Sequence, residues 1–264
     1  MPELPDVETF RRFLNRTAAG LTIQRVDVRD ELIFRGLSVG RLQAQVCGKR
    51  FSSTLRHGKY VFASLEPKSF LAFHFGMTGY LRSFTKREFE PEYNRVIFHM
   101  SNGVSIAFNC RRRLGSIRYF EDPDQFIARQ HLGPDALRID FQDFLQRLST
   151  KKGSIKCVLM DQSVLSGIKN IYADEILFQA RIHPRTRLSA IRERDKKTLF
   201  DTMRRVLNTA VTLHSNSSRF PRSYLTRYRH SSGICPLCRA PLTTTRACGR
   251  TAYFCPKEQH LKLA

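Results

Sequence analysis

The sequence lacks any run of about 18 apolar residues, the length that predicts a membrane-spanning helix. It also lacks a secretory signal pattern, because acidic Glu3 and Asp6 follow Met1 closely, where such a signal would carry positive charge. These absences exclude the class of helical membrane proteins and predict a cytosolic or nuclear protein.

Acidic residues are scarce, since 23 Asp and Glu stand against 45 Lys and Arg, giving a formal net charge of +22 over 264 residues. This excess exceeds what solubility requires and indicates a polyanionic partner. Nucleic acid is favoured over an acidic membrane, because no helical pattern concentrates the basic residues on one face. The seven cysteines are an odd number, and in such a compartment we expect thiols rather than disulfides.

The N-terminal stretch MPELPDVE contains a candidate nucleophile. Removal of Met1 would leave Pro2 as a secondary amine, and α-amino groups titrate at roughly 7.7–8.0, so part of it would be neutral at physiological pH. Its attack on an aldehyde-level carbon would give an iminium, with Glu3 beside it for acid and base catalysis. The alternative is an ordinary start to a helix that begins near Leu4 and ends at Gly20.

Residues 22–120 predict an antiparallel β-sandwich or barrel. The segments KYVFASL, FLAFHF, RVIFHM and VSIAFN are rich in β-branched and aromatic residues, and Ser101-Asn102-Gly103 predicts a hairpin turn. Basic or glycine-rich turns interrupt the pattern at residues 57–59, 76–79 and 111–115. Each is either a solvated turn or part of a rim that faces a phosphate backbone.

From Pro123 onward the pattern becomes helical. Asp122 and Asp140 are candidate N-caps, and a long helix is predicted from about Ser189 to His214. Two further helical patterns meet at residues 166–170, where a helix start would offer N–H groups to an anion or serve only for packing. The polar segment at 215–230 is predicted to be a linker or mobile loop.

The C-terminal region carries the spacing of a two-knuckle zinc ribbon. Cys235-x2-Cys238 is followed, after sixteen residues, by Cys255. Position 258, where a fourth cysteine is expected, holds Glu258, and His260 lies two residues further. The fourth zinc ligand could therefore be Glu258, which stands at the expected cysteine position, or His260, because Cys₃His is the commoner structural ligand set. A metal-free hairpin is the third alternative.

Several motifs together resemble the formamidopyrimidine-DNA glycosylase / endonuclease VIII family, and they span nearly the whole chain. They are MPELPDVE, GKY at 58–60, GMTG at 76–79, RRLG at 112–115, NIYADEILF at 170–178 and GRTAYFCP at 249–256. The resemblance implies an α+β fold in which an N-terminal β-sandwich flanked by helices precedes a helix-two-turn-helix domain and a β-hairpin zinc finger. The implied ranges are 1–121, 122–214, a linker or capping-loop region at 215–230, and 231–264.

The resemblance also implies catalytic roles for four residues. Pro2 corresponds to the Schiff-base nucleophile and Glu3 to the acid that opens the deoxyribose ring. Asp6 stands where the family usually has glutamate, and Lys59 corresponds to the lysine that holds the phosphate of the lesion.

DNA contacts are implied at six further positions. Asn170 and Arg250 correspond to residues that grip flanking phosphates, and Lys156 is added to this set. The side chains that would fill the gap left by a flipped base are Met77, Arg112 and Leu114, although the last is more often phenylalanine. Lys169 departs from the family pattern because it replaces a usual glycine.

The expected function is a bifunctional DNA glycosylase and abasic-site lyase that excises oxidised bases and cleaves the strand by β,δ-elimination. The expected partner is double-stranded DNA that contains a damaged base or an abasic site, with one structural zinc ion and no organic cofactor. We further expect a monomer in the cytoplasm, associated with the nucleoid if the source is prokaryotic. The alternative is a zinc-containing protein that binds damaged DNA without cutting it. The sequence leaves oxidised pyrimidines, formamidopyrimidines, 8-oxoguanine and hydantoins open as lesions.

Overall fold

The chain folds into two compact units, as seen in a computed structural model that describes residues 1–85, 87–88, 90 and 92–261. The first unit comprises Met1–Pro2 and Asp6–Gln130, and the second comprises Glu3–Pro5 and His131–Ala264. Among the described residues, no helix combines the length and apolarity needed to cross a membrane.

Two four-stranded antiparallel sheets make up most of the first unit, with strand orders β1-β6-β7-β5 and β2-β3-β4-β8. The strands are β1 Ile23–Val28, β2 Arg50–His57, β3 Tyr60–Glu66, β4 Ser69–His74, β5 Gly79–Phe84, β6 Asn94–Met100, β7 Ser105–Cys110 and β8 Ser116–Phe120.

Phenylalanine rings fill the space between the two sheets. Phe73 on β4 contacts Phe98 on β6 and Phe108 on β7, with ring centroids 5.9 and 6.2 Å apart. Phe51 on β2 approaches Phe98 at 6.3 Å. The predicted sandwich is therefore confirmed, and its core accounts for part of the abundance of phenylalanine, since large aromatic side chains contribute most buried area per residue.

The predicted hairpin turn at Ser101–Gly103 joins β6 to β7. Gly103 has φ +82°, a conformation that glycine adopts without a steric cost. The Asn102 side chain accepts a hydrogen bond from Val104 N at 3.1 Å, as turn asparagines do.

Three helices accompany these sheets: α1 Leu4–Ala18, α2 Val39–Val46 and α3 Pro123–Arg129. Asp122 caps α3 as predicted, because its carboxylate accepts from Asp124 N and Gln125 N. Phe126 of α3 packs on Phe62 of β3, with ring centroids 5.3 Å apart. This packing places α3 in the first unit, which extends beyond the boundary expected at residue 121.

The described residues of the second unit form four α-helices and one β-hairpin, besides short 3₁₀ turns. The helices are α4 Phe141–Ser149, α5 Ile155–Met160, α6 Asn170–Gln179 and α7 Glu193–Thr212, and the hairpin strands are β9 Thr243–Ala247 and β10 Arg250–Phe254. Asp140 caps α4 as predicted, accepting from Asp143 N at 2.9 Å. The long helix α7 begins later than predicted, because residues 188–190 form a separate 3₁₀ turn.

The segment at 215–230, predicted to be a linker or mobile loop, packs against α6. Leu225 is fully buried. The Glu175 carboxylate on α6 accepts hydrogen bonds from Leu225 N, Thr226 N and the Thr226 hydroxyl, at 3.2, 2.7 and 2.6 Å. The polar composition of this segment suggested a linker. Its backbone instead supplies hydrogen bonds that the buried Glu175 carboxylate requires.

The expectation of thiols alone is wrong for one pair, since Cys157 and Cys248 form a disulfide with Cα atoms 5.4 Å apart. Cys157 lies on α5 and Cys248 lies between β9 and β10. The two residues are 91 positions apart in the chain, so nothing local in the sequence indicated that the fold brings them together.

Gly167 permits the close approach of the N-terminal segment within the second unit. Leu4 N donates to Gly167 O at 2.9 Å, and a Cβ on Gly167 would lie 2.6 Å from Leu4 Cδ1. Gly167 also has φ +118°. Any larger residue would therefore meet both backbone strain and side-chain overlap.

We predict that Gly167→Ala lowers the free energy of unfolding by about 1–3 kcal/mol more than Gly153→Ala does, since overpacking adds to backbone strain. Gly153 is the matched control, because it has φ +104° but nothing within 4 Å of the position that an added methyl group would take. Denaturant unfolding of both variants measures the difference. Equal losses would show that Leu4 accommodates the methyl group.

Candidate functional site

The Glu3 carboxylate lies at the N-terminus of α6 and is 1% exposed. It accepts hydrogen bonds from Lys169 N and Ile171 N, both at 2.7 Å, and from Tyr172 N at 3.3 Å. The first N–H groups of a helix have no partner within the helix, and its dipole favours negative charge there. The predicted anion site at this turn is thus occupied by the protein's own carboxylate.

Pro2 directly precedes this buried carboxylate and is half-buried, while Met1 is 37% exposed. Asp6 lies in the first turn of α1 and is half-buried. The pyrrolidine nitrogen is part of the Met1–Pro2 peptide bond, so it becomes an amine only when Met1 is removed. The roles assigned to Pro2 and Asp6 stay predictions.

Lys59 occupies the two-residue turn between β2 and β3, after Gly58 with φ +54°. Its neighbour Tyr60 pairs with His74 across the sheet. Burial first, and then the charge of Lys59 and two nearby arginines, lowers the pKa of His74 to about 4. The sequence did not predict a neutral imidazole near Lys59, because His74 is a single polar residue in the otherwise apolar segment FLAFHF.

The loops that carry Met77, Arg112 and Leu114 lie against each other in the first unit. Arg112 N donates to Thr78 Oγ1 at 3.2 Å. A Cβ on Gly76 would lie 2.3 Å from the Leu114 carbonyl carbon, so only glycine allows this backbone approach. Leu114 is 48% exposed, Arg112 is exposed and Met77 is half-buried. The structure thus brings together the three residues predicted to fill the gap, and that role itself stays a prediction.

Asn170 and Arg250 are connected through the hairpin backbone in the second unit. Asn170 Nδ2 donates to Thr251 O at 3.2 Å, next to Arg250 at the start of β10. Arg250 is exposed, and it has no ion pair within the described part of the chain. An exposed guanidinium on a strand whose backbone is fixed is suited to bind an anion.

Lys156 is fully buried, contrary to the predicted direct contact with DNA. Its Nζ donates to Asp174 Oδ1 at 2.6 Å, and burial lowers the pKa of this amine although Asp174 partly opposes the shift. The other carboxylate oxygen accepts from Arg229 Nε at 2.9 Å and from Tyr253 N at 3.1 Å. Lys156 therefore helps to hold β10 and has no amine at the surface of the free protein.

Three thiols form a cluster that could hold a metal ion. The Sγ atoms of Cys235, Cys238 and Cys255 all lie within 4.8 Å of one another, and two of them, on Cys238 and Cys255, are 3.4 Å apart. Two sulfur ligands of one tetrahedral zinc ion lie about 3.8 Å apart. Burial, and then the adjacent thiols, raise the pKa of Cys255 to about 12. A bound cation would lower this pKa by stabilising the thiolate.

Neither predicted fourth ligand belongs to this cluster. Glu258 forms an ion pair with Arg181, and His260 is exposed. The buried side chain of Gln259 instead accepts from Cys255 N at 3.0 Å and donates to Ile182 O at 2.8 Å. Gln259 fixes the backbone at Cys255, a role that sequence reasoning missed because glutamine is not among the usual zinc ligands.

Family models match both units of the chain. The model of the formamidopyrimidine-DNA glycosylase N-terminal domain matches residues 1–117, and the model of the formamidopyrimidine-DNA glycosylase H2TH domain matches residues 132–222.

Relatives and solved structures agree with these matches. A formamidopyrimidine-DNA glycosylase of Arabidopsis thaliana is 32% identical over 99% of this chain and 71% of its own length. The same-named protein of Legionella pneumophila strain Lens is 32% identical over 97% of both chains. The wild-type Lactococcus lactis protein, in complex with DNA containing N7-benzyl-Fapy-dG, has a TM-score of 0.88 at 26% identity, covering 98% of this chain and 100% of its own. The chain belongs to the formamidopyrimidine-DNA glycosylase family.

We predict that Asp174→Asn lowers the free energy of unfolding by about 3–5 kcal/mol, because it leaves the Lys156 ammonium buried without a counter-charge. The matched control is Asp201→Asn, which removes an exposed partner of Lys197 and should cost less than about 1 kcal/mol. Denaturant unfolding gives both values. Similar small losses would mean that Lys156 is neutral in the folded protein.

Proposed function

We propose that the protein is a DNA glycosylase and abasic-site lyase that uses the Pro2 amine as its nucleophile. The observation that carries the proposal is the buried Glu3 carboxylate, held by three backbone N–H groups immediately after Pro2. This arrangement fixes an acid/base group next to the only backbone nitrogen that removal of Met1 would expose. Family membership supports the same activity.

The proposed reaction begins with a proton transfer. Glu3 first accepts a proton from the Pro2 ammonium. The neutral amine then attacks C1′ of the damaged nucleotide, and protonated Glu3 returns its proton to the sugar ring oxygen. Protonation breaks the bond between C1′ and the ring oxygen and opens the sugar. The proton on the newly bonded Pro2 nitrogen then passes to the damaged base, the glycosidic bond breaks, and the base leaves the Pro2–C1′ iminium behind.

Strand cleavage follows from the iminium. The Pro2–C1′ iminium withdraws electrons, so the C2′ proton becomes acidic and its removal expels the 3′ phosphate by β-elimination. A second elimination expels the 5′ phosphate, and water releases the sugar fragment from Pro2. The enzyme is regenerated without an organic cofactor.

The target nucleotide must leave the duplex before its C1′ can meet the amine. Met77, Arg112 and Leu114 are proposed to fill the vacated space, which their adjacent loops support. Lys59, Asn170 and Arg250 are proposed to bind backbone phosphates, which position the strand without reading its sequence. For Lys156, the buried amine supports a role in positioning β10 instead of contacting DNA.

The thiol cluster is proposed to hold one structural zinc ion, which would be bound by Cys235, Cys238 and Cys255. Zinc would supply the positive charge that stabilises three adjacent thiolates and would fold the knuckles around itself.

The proposed substrate is duplex DNA that contains an oxidised base or an abasic site, acted on by a monomer in the cytoplasm. Solved structures of relatives support damaged DNA, because they include complexes of the Lactococcus lactis protein with N7-benzyl-Fapy-dG and abasic-site DNA. Excision from a panel of lesion duplexes would identify the preferred base.

We predict that borohydride traps a covalent adduct between the protein and abasic-site DNA, because it reduces the iminium to a stable amine. Pro2→Gly keeps a primary amine, and the yield of trapped adduct should fall by at least about tenfold. Protein that retains Met1 should not trap at all, and Lys59→Ala is the control for capture by lysine. Efficient trapping with Met1 retained would move the nucleophile away from Pro2, and no trapping by mature protein would favour binding without cleavage.

We predict stoichiometric zinc in the purified protein by elemental analysis and its loss in Cys255→Ser. Glu258→Ala and His260→Ala should keep the metal, because neither side chain lies in the thiol cluster. Loss of zinc in one of these variants would identify it as the fourth ligand. Wild-type protein that binds DNA normally without any metal would refute the zinc site.

A further inference from the structure

The tip of the β9–β10 hairpin has an unusual residue for its geometry. Cys248 and Gly249 form the turn, with φ +55° and +64°, between the paired residues Ala247 and Arg250. A two-residue turn of this kind favours asparagine or aspartate before glycine, because both positions are left-handed. Cysteine gains nothing from this conformation, so its presence points to the chemistry of its sulfur.

The Cys157–Cys248 bond holds the tip to α5, while other contacts hold the strand behind it. Thr251 O accepts from Asn170 Nδ2, and Tyr253 N donates to Asp174. Both of these contacts fix β10. Among the described residues, the disulfide is the covalent link between the turn and a helix of the second unit.

We propose that Cys157 and Cys248 form a reversible thiol–disulfide site that positions the hairpin turn, and with it Arg250. The part of this inference that concerns DNA rests on the proposed function, in which Arg250 binds a backbone phosphate. Closing the disulfide restricts the turn before DNA arrives, so less conformational freedom is lost on binding. Opening it leaves β10 fixed from Thr251 onward, through the contacts of Thr251 and Tyr253, but releases the tip together with Arg250.

Access and chemistry both allow exchange with a small disulfide. Cys248 is exposed, and the half-buried Cys157 Sγ accepts a hydrogen bond from Ser154 Oγ at 3.1 Å. Starting from two thiols, the Cys248 thiolate attacks oxidised glutathione and releases one glutathione thiolate. The Cys157 thiolate then attacks the mixed disulfide and releases the second. Two protein thiols lose two electrons and two protons, and one glutathione disulfide becomes two molecules of glutathione.

The site would close when the glutathione pool becomes oxidised. Cytosolic thiols are kept reduced under ordinary conditions, so the closed form would accumulate under the same oxidising conditions that damage bases. The disulfide therefore raises the affinity for DNA when oxidised bases are most abundant.

The test compares full-length protein equilibrated with reduced and with oxidised glutathione. Alkylation and intact mass count the thiols, hydrogen exchange reports the hairpin, and titration with an abasic-site duplex reports affinity. We expect two more alkylated cysteines after reduction, faster exchange at residues 247–250, and DNA binding weakened about fivefold. If hydrogen exchange at the turn does not change on reduction, the disulfide does not restrain the turn, and the proposal is overturned even if the protein binds no DNA. If exchange becomes faster but DNA affinity is unchanged, the role in positioning Arg250 is overturned.

Three variants separate this pair from the other cysteines. Cys157→Ser and Cys248→Ser should each match the reduced wild-type protein in hydrogen exchange and DNA affinity in both buffers. Cys47→Ser, which replaces an exposed free cysteine of the first unit, should keep the full response. Metal content is measured in parallel, and a response that persists in Cys157→Ser and follows loss of metal from the thiol cluster overturns the proposal.

Discussion

The buried carboxylate of Glu3 at the N-terminus of α6 is the interaction on which the candidate site depends. An isolated carboxylate loses much solvation energy on burial, and here three backbone N–H groups and the helix dipole replace that solvation. The contact fixes the third residue of the chain and therefore limits where the Pro2 nitrogen can lie. A flexible N-terminus would present the same amine over many positions, and proximity effects would be lost.

The same helix organises the rest of the second unit through side chains that are buried on nearly every face. Asp174 fixes β10 and Arg229, and Glu175 fixes the backbone at Leu225 and Thr226. Both carboxylates are fully buried. Because each buried charge requires several donors, moving one attached segment would leave a carboxylate unsatisfied. One helix thereby couples the N-terminus, the hairpin and the 215–230 segment.

Local patterns predicted the parts of the fold that local physics determines. Segments rich in β-branched and aromatic residues indicated the strands, and capping residues such as Asp122 and Asp140 marked helix starts correctly. The candidate site was located mainly by resemblance, because its residues come from distant segments. Pairings such as Cys157–Cys248 and Arg181–Glu258 follow from tertiary contacts that have no periodic signature. The burial of Lys156 was missed for the same reason, since a lysine in a helical pattern is usually solvated.

The distribution of charge shows how a scarcity of acidic residues would serve the proposed phosphate-binding surface. Glu3, Asp174 and Glu175 are buried, and their charges are used in internal hydrogen bonds. By contrast, Arg112 and Arg250, which are candidate DNA contacts, are exposed. These three acids lie away from the surface, where the exposed arginines and the net charge of +22 favour a polyanion. The acids that hold the fold together are thus kept from opposing the binding of a polyanion.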